Sequence, residues 1–415
     1  MVPPAPSWDS APRDSLAGIE SVYQPIVDLA TGQCRGFEAL TRPSPNSGLT
    51  TPEELFVEAA RREAMVEFDW RCRVSALHNA LLAGLPGDMA LFVNSEPTAL
   101  GSPPPVDALS TLAEAARLSV VVEITERHLM KDPAGLLRAA SNVRDRGWRI
   151  AVDDVGADAS SLALLALLRP DVIKLEMRFV HERWGSETKA ILSSVVAEAD
   201  RTGAIIVAEG IETEVHERRA RELGATWGQG WLFGKPTVLP NFQNLDRPPA
   251  TRPTGPAVTV RAPTAVTPFG LTHGSLTPVQ ADPRALEMVE DDLLVRALAL
   301  GSTALVFITV SSFDDMSPAR RSLVSAVAAV SAMTVVFCPA PAPPSDGGYR
   351  IVEVDPAEPM ASERSVVVVD PMFNAAVSSI DVGSSGRVDY RLTFDRDHVL
   401  DAATLLLHRV PAQSQ

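Results

Sequence analysis

The chain has 415 residues, of which 46% are hydrophobic and 21% are charged, and its formal net charge is −15. This composition excludes an intrinsically disordered protein, and the length is sufficient for two folded domains. The acidic balance leaves no basic stripe along which the phosphates of a nucleic acid polymer could be neutralised, so we expect no partner of that class.

The N-terminal segment, residues 1–17, has prolines and acidic residues where a secretory signal would need a basic stretch followed by an apolar one. We expect it to be a disordered tail. Elsewhere, polar residues interrupt the apolar runs well short of a membrane span. The three cysteines, Cys34, Cys72 and Cys338, are too scattered for a metal site and are expected to be reduced thiols. These features predict a cytoplasmic protein that does not contact a membrane.

From about residue 20 to residue 240, short β-rich runs alternate with segments of helical periodicity. We predict strands near residues 21–29, 36–41, 90–94, 120–124, 149–153, 171–175, 204–209 and 225–228. Helices are predicted at residues 52–62, 68–83, 133–146 and 187–201. This alternation is typical of α/β proteins with parallel strands, and eight strands can close a small barrel. Because only TGQC joins the first two strands, we expect a modified TIM (β/α)8 barrel whose first strand is antiparallel.

The character of the sequence changes after residue 245. Residues 246–265 are rich in proline and threonine and lack periodicity, which predicts an extended linker. Beyond the linker, strands are predicted at 304–310, 334–339, 365–369 and 390–393, and helices at 291–300, 318–332 and 398–409. We therefore expect a first domain over residues 18–245 and a second, smaller α/β domain over residues 266–412. Phe307, Phe313 and Phe337 are expected in the core of the second domain.

The segment FDRDHV contains Asp395, Asp397 and His398, which are residue types that also bind metals. They stand where the last helix is expected to begin. Acidic residues at that position accept hydrogen bonds from the free backbone amides and favour the positive end of the helix. We therefore expect a helix cap here and not a metal site.

Polar side chains follow the predicted barrel strands at the points where the strands end. They are Glu38, Asn94, Glu123, Asp153, Asp154, Lys174 and Glu209. A single acid in such a position is explained by an ion pair or a helix cap. The adjacent carboxylates of Asp153 and Asp154, however, repel each other unless a cation or solvent screens them. The carboxyl ends of barrel strands meet on one face, so the whole set predicts a site for hard divalent metals.

Residues 20–240 resemble the EAL domain, the cyclic di-GMP phosphodiesterase family. The resemblance is carried by YQPIVDLATGQCRGFEALTRP, FVNSEP, VVEITE, AVDDVGADASSL, DVIKLE, VAEGIET and GQGWLFGKP. It implies two ions, Mg²⁺ or Mn²⁺, and cyclic di-GMP as the substrate. The metal ligands that it implies are Glu38, Asn94, Glu123, Asp153, Asp154 and Glu209, with Asp153 between the ions.

The resemblance also implies roles for residues around the metals. Lys174 would orient the attacking water and steady the developing charge, with Glu38, Glu209 and Gln229 beside it as catalytic residues. The residues implied to contact the dinucleotide are Gln24, Leu40 and Arg42. Glu212 is implied to hold the loop that follows the fifth strand.

This chain departs from the family pattern in that loop, where DDVGADASSL replaces the usual DDFGTGYSSL. Val155, Ala157, Asp158 and Ala159 are the substituted positions, and Glu176 stands where the family usually has aspartate. The loop is associated in the family with dimerisation and with organising the metal site. A homodimer is therefore an expectation that the substitutions leave open.

The C-terminal region resembles the DICT domain, a sensory module found with cyclic di-GMP enzymes. The matching segments are TPFGL, ERSVVVVDPMFNAAVSSIDVG and YRLTFDRDHVLDAATLLL. The leading hypothesis is a phosphodiesterase that converts cyclic di-GMP to linear pGpG and is regulated by this domain through an unidentified signal or protein partner. The alternatives are a non-hydrolysing receptor for cyclic di-GMP that signals through a partner, and another phosphoryl hydrolase on a similar barrel.

Overall fold

The structure is a computed structural model that describes residues 18–125, 132–156, 162–182, 185–243, 266–271, 276–314, 316–341, 348–382 and 386–411. The described chain divides into two compact units. The first unit contains residues 18–125, 138–156 and 170–243, and the second contains residues 132–137, 162–169 and the described residues from 266 onward. The tail predicted over residues 1–17 and the linker predicted over residues 246–265 lie outside the described residues.

Within the described residues of the first unit, eight strands close a barrel in sequence order. They are β1 (Ile19–Asp28), β2 (Cys34–Pro43), β3 (Ala90–Asn94), β4 (Ser119–Thr125), β5 (Arg149–Val155), β6 (Val172–Leu175), β7 (Ile205–Ala208) and β8 (Trp227–Gln229). Strand β1 is antiparallel to β2 and to β8, and the neighbouring pairs from β2 to β8 are parallel. The modified TIM barrel with an antiparallel first strand is therefore confirmed.

Local sequence signals explain the antiparallel start of the barrel and several helix ends. Asp28 Oδ1 accepts hydrogen bonds from the backbone amides of Ala30 and Thr31, which closes the tight β1–β2 turn. Thr51 and Glu54 form a reciprocal capping box at the next helix. The described helices up to residue 243 are α1 (Pro52–Arg61), α2 (Met65–Ala83), α3 (Pro97–Leu100), α4 (Leu109–Ala115), α5 (Pro133–Asp145), α6 (Leu162–Leu168), α7 (Arg178–His181), α8 (Ser186–Thr202) and α9 (Glu214–Glu222).

The interior of the barrel is filled by inward-facing apolar side chains from different strands. They include Ile26, Ala90, Phe92, Val121, Ala151, Val172, Val207 and Trp227. Such a layer makes the barrel a packed core and not a pore. Because side chains two residues apart lie on the same face of a strand, the next inward-facing residue along each strand lies at the mouth of the barrel.

The second unit contains a seven-stranded sheet, counted over the described residues, in the order β12-β11-β10-β13-β14-β15-β9. Its strands are β9 (Val279–Ala281), β10 (Leu305–Thr309), β11 (Met333–Pro339), β12 (Arg350–Val354), β13 (Glu363–Val369), β14 (Asn374–Asp381) and β15 (Val388–Thr393). Its helices beyond residue 266 are α10 (Pro268–Leu271), α11 (Pro283–Leu300), α12 (Pro318–Val330) and α13 (Arg396–Leu407). The expected second α/β domain is confirmed as a fold.

Details of the second unit agree with most of the sequence predictions. Phe307 and Phe337 are buried, and Phe313 packs against the core that α11 and α12 share with the sheet. Asp395 is the N-cap of α13 and accepts a hydrogen bond from the His398 amide at 3.1 Å, so the predicted cap is confirmed. Among the described helices, none is long and apolar enough to cross a membrane.

Candidate active site

The side chains at the mouth of the barrel follow directly from the period of its strands. Two residues beyond an apolar core residue stands a polar one: Asn94 after Phe92, Glu123 after Val121, Asp153 after Ala151, Lys174 after Val172, Glu209 after Val207, and Gln229 after Trp227. In β1, which runs the other way, Gln24 precedes Ile26 by two residues. One inward-facing position on each of these strands therefore contributes to a single polar layer above the core.

Asp153 and Asp154 both contribute to this layer because β5 contains a bulge. The register between β5 and β6 advances from Val152↔Ile173 to Val155↔Leu175, which inserts one extra residue in β5. Asp154 has a φ of 57°, in the left-handed region that few residues with side chains adopt. Carboxylate oxygens of Asp153, Asp154 and Glu209 all lie within 4.8 Å of one another. Backbone strain of this kind is typical of functional sites.

Lys174 lies at the centre of the cluster and is fully buried. Its Nζ atom is 2.6 Å from Glu209 Oε1, 2.8 Å from Glu123 Oε1 and 3.0 Å from Asp153 Oδ1. Glu38 Oε2 lies farther away, at 3.7 Å. Burial lowers the pKa of Lys174, but these carboxylates outweigh it and raise the pKa well above its usual value. The lysine is therefore a fixed positive charge.

Glu38 is oriented by amide side chains from three other strands. Asn94 Nδ2 donates to Glu38 Oε1 at 2.9 Å, and Gln229 Nε2 donates to Glu38 Oε2 at 2.5 Å. The same Gln229 nitrogen donates to Gln24 Oε1 at 3.0 Å. Burial would raise the pKa of Glu38, but Lys174 and these hydrogen bonds outweigh it and lower the pKa. The network holds Glu38 as a carboxylate.

The pKa values of Glu209 and Glu123 shift in the opposite direction and are raised. Burial, with smaller contributions from Asp153 and Glu38, raises the pKa of Glu209 to about 8 although Lys174 acts to lower it. Burial and the same neighbouring carboxylates raise the pKa of Glu123 well above its usual value. The cluster therefore holds more negative charge than one lysine neutralises. Such a site gains free energy when a divalent cation replaces bound protons.

Two buried oxygen atoms of the cluster indicate that a metal fits these residues. Glu123 Oε2 and Gln229 Oε1 are buried and accept no hydrogen bond from the described part of the chain. Buried oxygens usually have partners, and a hard cation or its bound water would supply them. Carboxylate and amide oxygens are the donors that Mg²⁺ and Mn²⁺ prefer. The residues that fit as ligands are Glu38, Asn94, Glu123, Asp153, Asp154 and Glu209.

A cavity of about 320 Å³ opens above the cluster. Its lining includes Glu38, Asp154 and Glu209 together with Gln24, Leu40, Glu212, Gln229 and Trp231. Trp231 is 60% exposed at this cavity, and Lys235 Nζ lies 4.9 Å from the centre of its ring. The cavity therefore combines acidic metal donors with an aromatic face suited to a nucleotide base.

Leu40 also lines a second cavity of about 250 Å³, to which Arg42 and Asn94 contribute. Helix α2 supplies Asp69 and Arg73 to its wall. These two side chains are buried and form an ion pair of 2.7 Å. Burial raises the pKa of Asp69 more than Arg73 lowers it. A buried carboxylate beside an arginine can bind a planar polar group through hydrogen bonds.

The structure brings most of the candidate site residues into one place and separates a few. The metal-ligand candidates, Lys174, Gln24 and Gln229 surround the first cavity or the cluster beneath it. Arg42 lies in the second cavity, and its Nη1 donates to the Thr41 carbonyl. Glu212 lines the first cavity, but residues 157–161 of the loop that it was expected to hold are outside the described residues. Glu176 pairs with Arg178 at 2.9 Å.

Sequence reasoning missed Asp69, Arg73 and Trp231. Asp69 and Arg73 stand four residues apart in the predicted helix, a spacing that usually marks an exposed ion pair. Their burial depends on the Ser95 and Glu96 segment, where Ser95 Oγ and the Glu96 amide donate to the Asp69 carboxylate. Only the folded structure brings that segment to the helix.

Comparisons of the sequence with known proteins agree on one family. The sequence profile of the EAL domain matches residues 12–236. Cyclic di-GMP phosphodiesterase RocR of Pseudomonas aeruginosa is 34% identical over 229 residues, which cover 54% of this chain and 58% of RocR. Cyclic di-GMP phosphodiesterase PA2567 of the same organism is 32% identical over 236 residues, covering 53% of this chain and 39% of the relative. The chain thus spans roughly half the length of these relatives or less.

One solved structure that is similar to part of this chain is the calcium and cyclic di-GMP complex of BlrP1 from Klebsiella pneumoniae. It has a TM-score of 0.46 and 29% identity, and the match covers 55% of this chain and 58% of that one. The cyclic di-GMP complex of the PaMucR phosphodiesterase has a TM-score of 0.46 and 28% identity, covering 53% of this chain and 97% of that one.

Proposed function

Because the chain belongs to the EAL domain family, we propose that it hydrolyses cyclic di-GMP to linear pGpG with the help of two Mg²⁺ or Mn²⁺ ions. The observation that carries the proposal is the buried Lys174 among the carboxylates of Glu123, Asp153 and Glu209 at the mouth of the barrel. Its named relatives RocR and PA2567 are cyclic di-GMP phosphodiesterases. Their activity supports the same reaction here.

Hydrolysis adds one water across a P–O3′ bond, so the site must deprotonate a water and stabilise negative charge on the phosphoryl oxygens. Divalent ions, when bound, make water more acidic and neutralise part of that charge. Lys174 supplies a fixed cation, worth about 10²–10³ in rate for one preorganised group. Glu209, whose Oε1 lies 2.6 Å from Lys174 Nζ, would hold an ion and place a carboxylate oxygen where it could accept the proton of the water.

The two cavities suit the two halves of a cyclic dinucleotide. They adjoin at Leu40, which lines both. Trp231 offers one base a stacking face in the first cavity, and Asp69 offers a hydrogen-bond acceptor in the second. Arg42, which lines the second cavity, can present a forked set of donors to a phosphate.

The test is chromatography of purified chain incubated with cyclic di-GMP and Mn²⁺ or Mg²⁺. We expect pGpG to accumulate in the wild type, and a Glu38→Ala variant to produce at least about 100-fold less. No pGpG above the level of that variant would overturn the proposal. Calorimetric binding of cyclic di-GMP without turnover would instead favour the receptor function, in which the dinucleotide is sensed and passed on to a partner.

We also propose that the second unit regulates the first in response to a signal or protein partner. The segment that follows the linker is held by two buried charges: Phe269 N donates to Glu363 Oε1 at 2.7 Å, and Arg391 Nη1 donates to the Phe269 carbonyl at 2.6 Å. Burial raises the pKa of Glu363 to about 7. A ligand or protonation event at Glu363 would therefore act on the segment nearest the linker.

The same hydrolysis assay tests this regulation when the full chain is compared with residues 1–245. A difference in rate constant between the two supports regulation, and equal rates with equal metal dependence count against it. We also propose a cytoplasmic location, where Cys34, Cys72 and Cys338 would stay reduced. A homodimer remains a further proposal that sedimentation of the purified chain tests.

A further inference from the structure

The loop after β7 carries Glu209 between helices α7 and α9. Gly210, the next residue, has a φ of 67°, and its carbonyl oxygen lies 2.7 Å from Nε2 of His181 at the end of α7. A Cβ atom at Gly210 would lie 2.5 Å from the Cβ of Met177 and 3.2 Å from that nitrogen. The glycine therefore lets the loop come close to α7, and His181 supplies the hydrogen-bond donor to its carbonyl.

A second histidine, His216 on α9, supports the first. The ring centres of His181 and His216 are 4.2 Å apart. Nδ1 of His216 accepts a hydrogen bond from the Glu212 amide at 3.4 Å, two residues beyond Gly210. These partners assign the proton of His181 to Nε2 and leave Nδ1 of His216 unprotonated. The two histidines thus contact one carbonyl and one amide of the same short loop.

The backbone around His181 is fixed from the other side. Arg219 Nη1 donates to the Val180 carbonyl at 2.9 Å and to the His181 carbonyl at 3.2 Å. The loop itself is tied to the barrel before and after Gly210, because the Glu209 amide donates to Leu175 O and the Ile211 amide donates to Gln229 O. The Gly210 carbonyl and the Ile211 amide belong to one planar peptide unit, which His181 and Gln229 hold from its two sides.

We propose that His181 is a positioning residue for Glu209, and that His216 and Arg219 hold it in place. The hydrogen bond to the Gly210 carbonyl holds the peptide that joins Gly210 to Ile211, and through it the short loop that directs the Glu209 carboxylate toward Lys174 and Asp153. The inference rests on the proposed function, in which Glu209 is a metal ligand. Supporting hydrogen bonds of this kind tune metal affinity although they do not touch the metal.

The test compares His181→Ala, His181→Gln and His181→Asn in the full chain. Glutamine places a donor nitrogen at a reach similar to Nε2, whereas asparagine is too short and alanine has no donor. We expect the alanine and asparagine variants to bind Mn²⁺ about 10-fold more weakly and to lose about 10-fold in kcat, with KM for cyclic di-GMP changed less than about 3-fold. Glutamine should restore both values to within about 3-fold of the wild type. Val215→Ala, at an exposed position of α9, is the matched control.

Mn²⁺ affinity is measured without the dinucleotide, by paramagnetic resonance of free Mn²⁺, so that the inference does not depend on turnover. Wild-type chain that binds Mn²⁺ but does not hydrolyse cyclic di-GMP would overturn the proposed function. The Mn²⁺ affinities of the three His181 variants would then still test the role of His181. Equal affinities in all variants, or equal losses in the glutamine and alanine variants, would overturn the inference. Wild-type chain that binds no Mn²⁺ would overturn both.

Discussion

Replacing Lys174 with methionine is expected to lower the rate constant for hydrolysis of cyclic di-GMP at least about 100-fold, because a preorganised cation at the reacting phosphate is lost. The metal-free variant is also expected to lose about 3–5 kcal/mol in the free energy of unfolding, the usual cost of removing one partner from a buried ion pair. The cause is the set of carboxylates at 2.6, 2.8 and 3.0 Å from Nζ, which would face one another without a counter-charge.

Urea unfolding of EDTA-treated protein measures the stability change, and the chromatographic assay measures the rate. Lys189→Met, at an exposed position of α8, controls for the loss of a lysine elsewhere and should change neither value. Mn²⁺ is expected to recover much of the lost stability in the Lys174 variant without recovering its activity, because the ions can replace the missing charge but not its position. Full stability of the variant without metal would contradict this description of the cluster.

Asp153→Asn is expected to lower activity and to change how stability depends on pH. Activity should fall about 1,000-fold or more, because carboxylate oxygens of Asp153, Asp154 and Glu209 lie within 4.8 Å of one another, close enough to hold one ion together. In the metal-free protein, however, Asp153 raises the pKa of Glu123 and of Glu209 by repulsion. Its removal relieves that repulsion but also removes its contact with Lys174 at 3.0 Å, so the two effects on stability oppose each other.

The amount of repulsion that is relieved depends on pH. A glutamate whose pKa is raised in the folded protein contributes stability that is present below its unfolded value and is lost as the pH rises through its folded value. For Glu209 that window runs from 4.5 to about 8. Above pH 8 the repulsion is greatest, so the melting temperature of metal-free Asp153→Asn, relative to that of the wild type, should be higher at pH 8.5 than at pH 6. Asp171→Asn, outside the cluster, serves as the control, and an equal difference from the wild type at both pH values for the Asp153 variant would contradict the expectation.

The barrel and most of its site could be predicted because the strand ends themselves carry the chemistry. The six parallel strands from β3 to β8 each place a polar residue two positions beyond an apolar core residue, and that pattern is visible in the sequence. The bulge in β5 brings Asp154 into the same layer, where its backbone has a φ of 57°. The spacing of apolar residues in the sequence does not predict such a backbone conformation.

Features that depend on distant segments escaped prediction. The spacing of Asp69 and Arg73 in the sequence is typical of an exposed ion pair on a helix. In the structure the pair is buried, and Ser95 and Glu96 donate hydrogen bonds to Asp69. His181 acquires its role from Gly210, which lies 29 residues away.

In the second unit, the start of α11 was predicted at residue 291 but lies at Pro283. Asp282 caps the helix, and Pro283 is its first residue. Asp282 and Pro283 are both local signals for a helix start. The prediction begins later because the residues just after Pro283 show only a weak helical periodicity. Strands β9, β12 and β14 were not predicted. Strand β9 has only three residues, and β14 carries serines in a buried position where apolar residues were expected.

The number of Mn²⁺ ions bound by each 415-residue chain is the most direct test of a two-metal site at the mouth of the barrel. Equilibrium dialysis at pH 8.5, with a saturating phosphorothioate analogue of cyclic di-GMP, gives this number without turnover. We expect two ions per chain in the wild type and fewer than one in Asp153→Asn, because in the proposed site that carboxylate would help to hold both ions. No bound Mn²⁺ in the wild type, or the same number in both proteins, would contradict a metal site built from these strand ends.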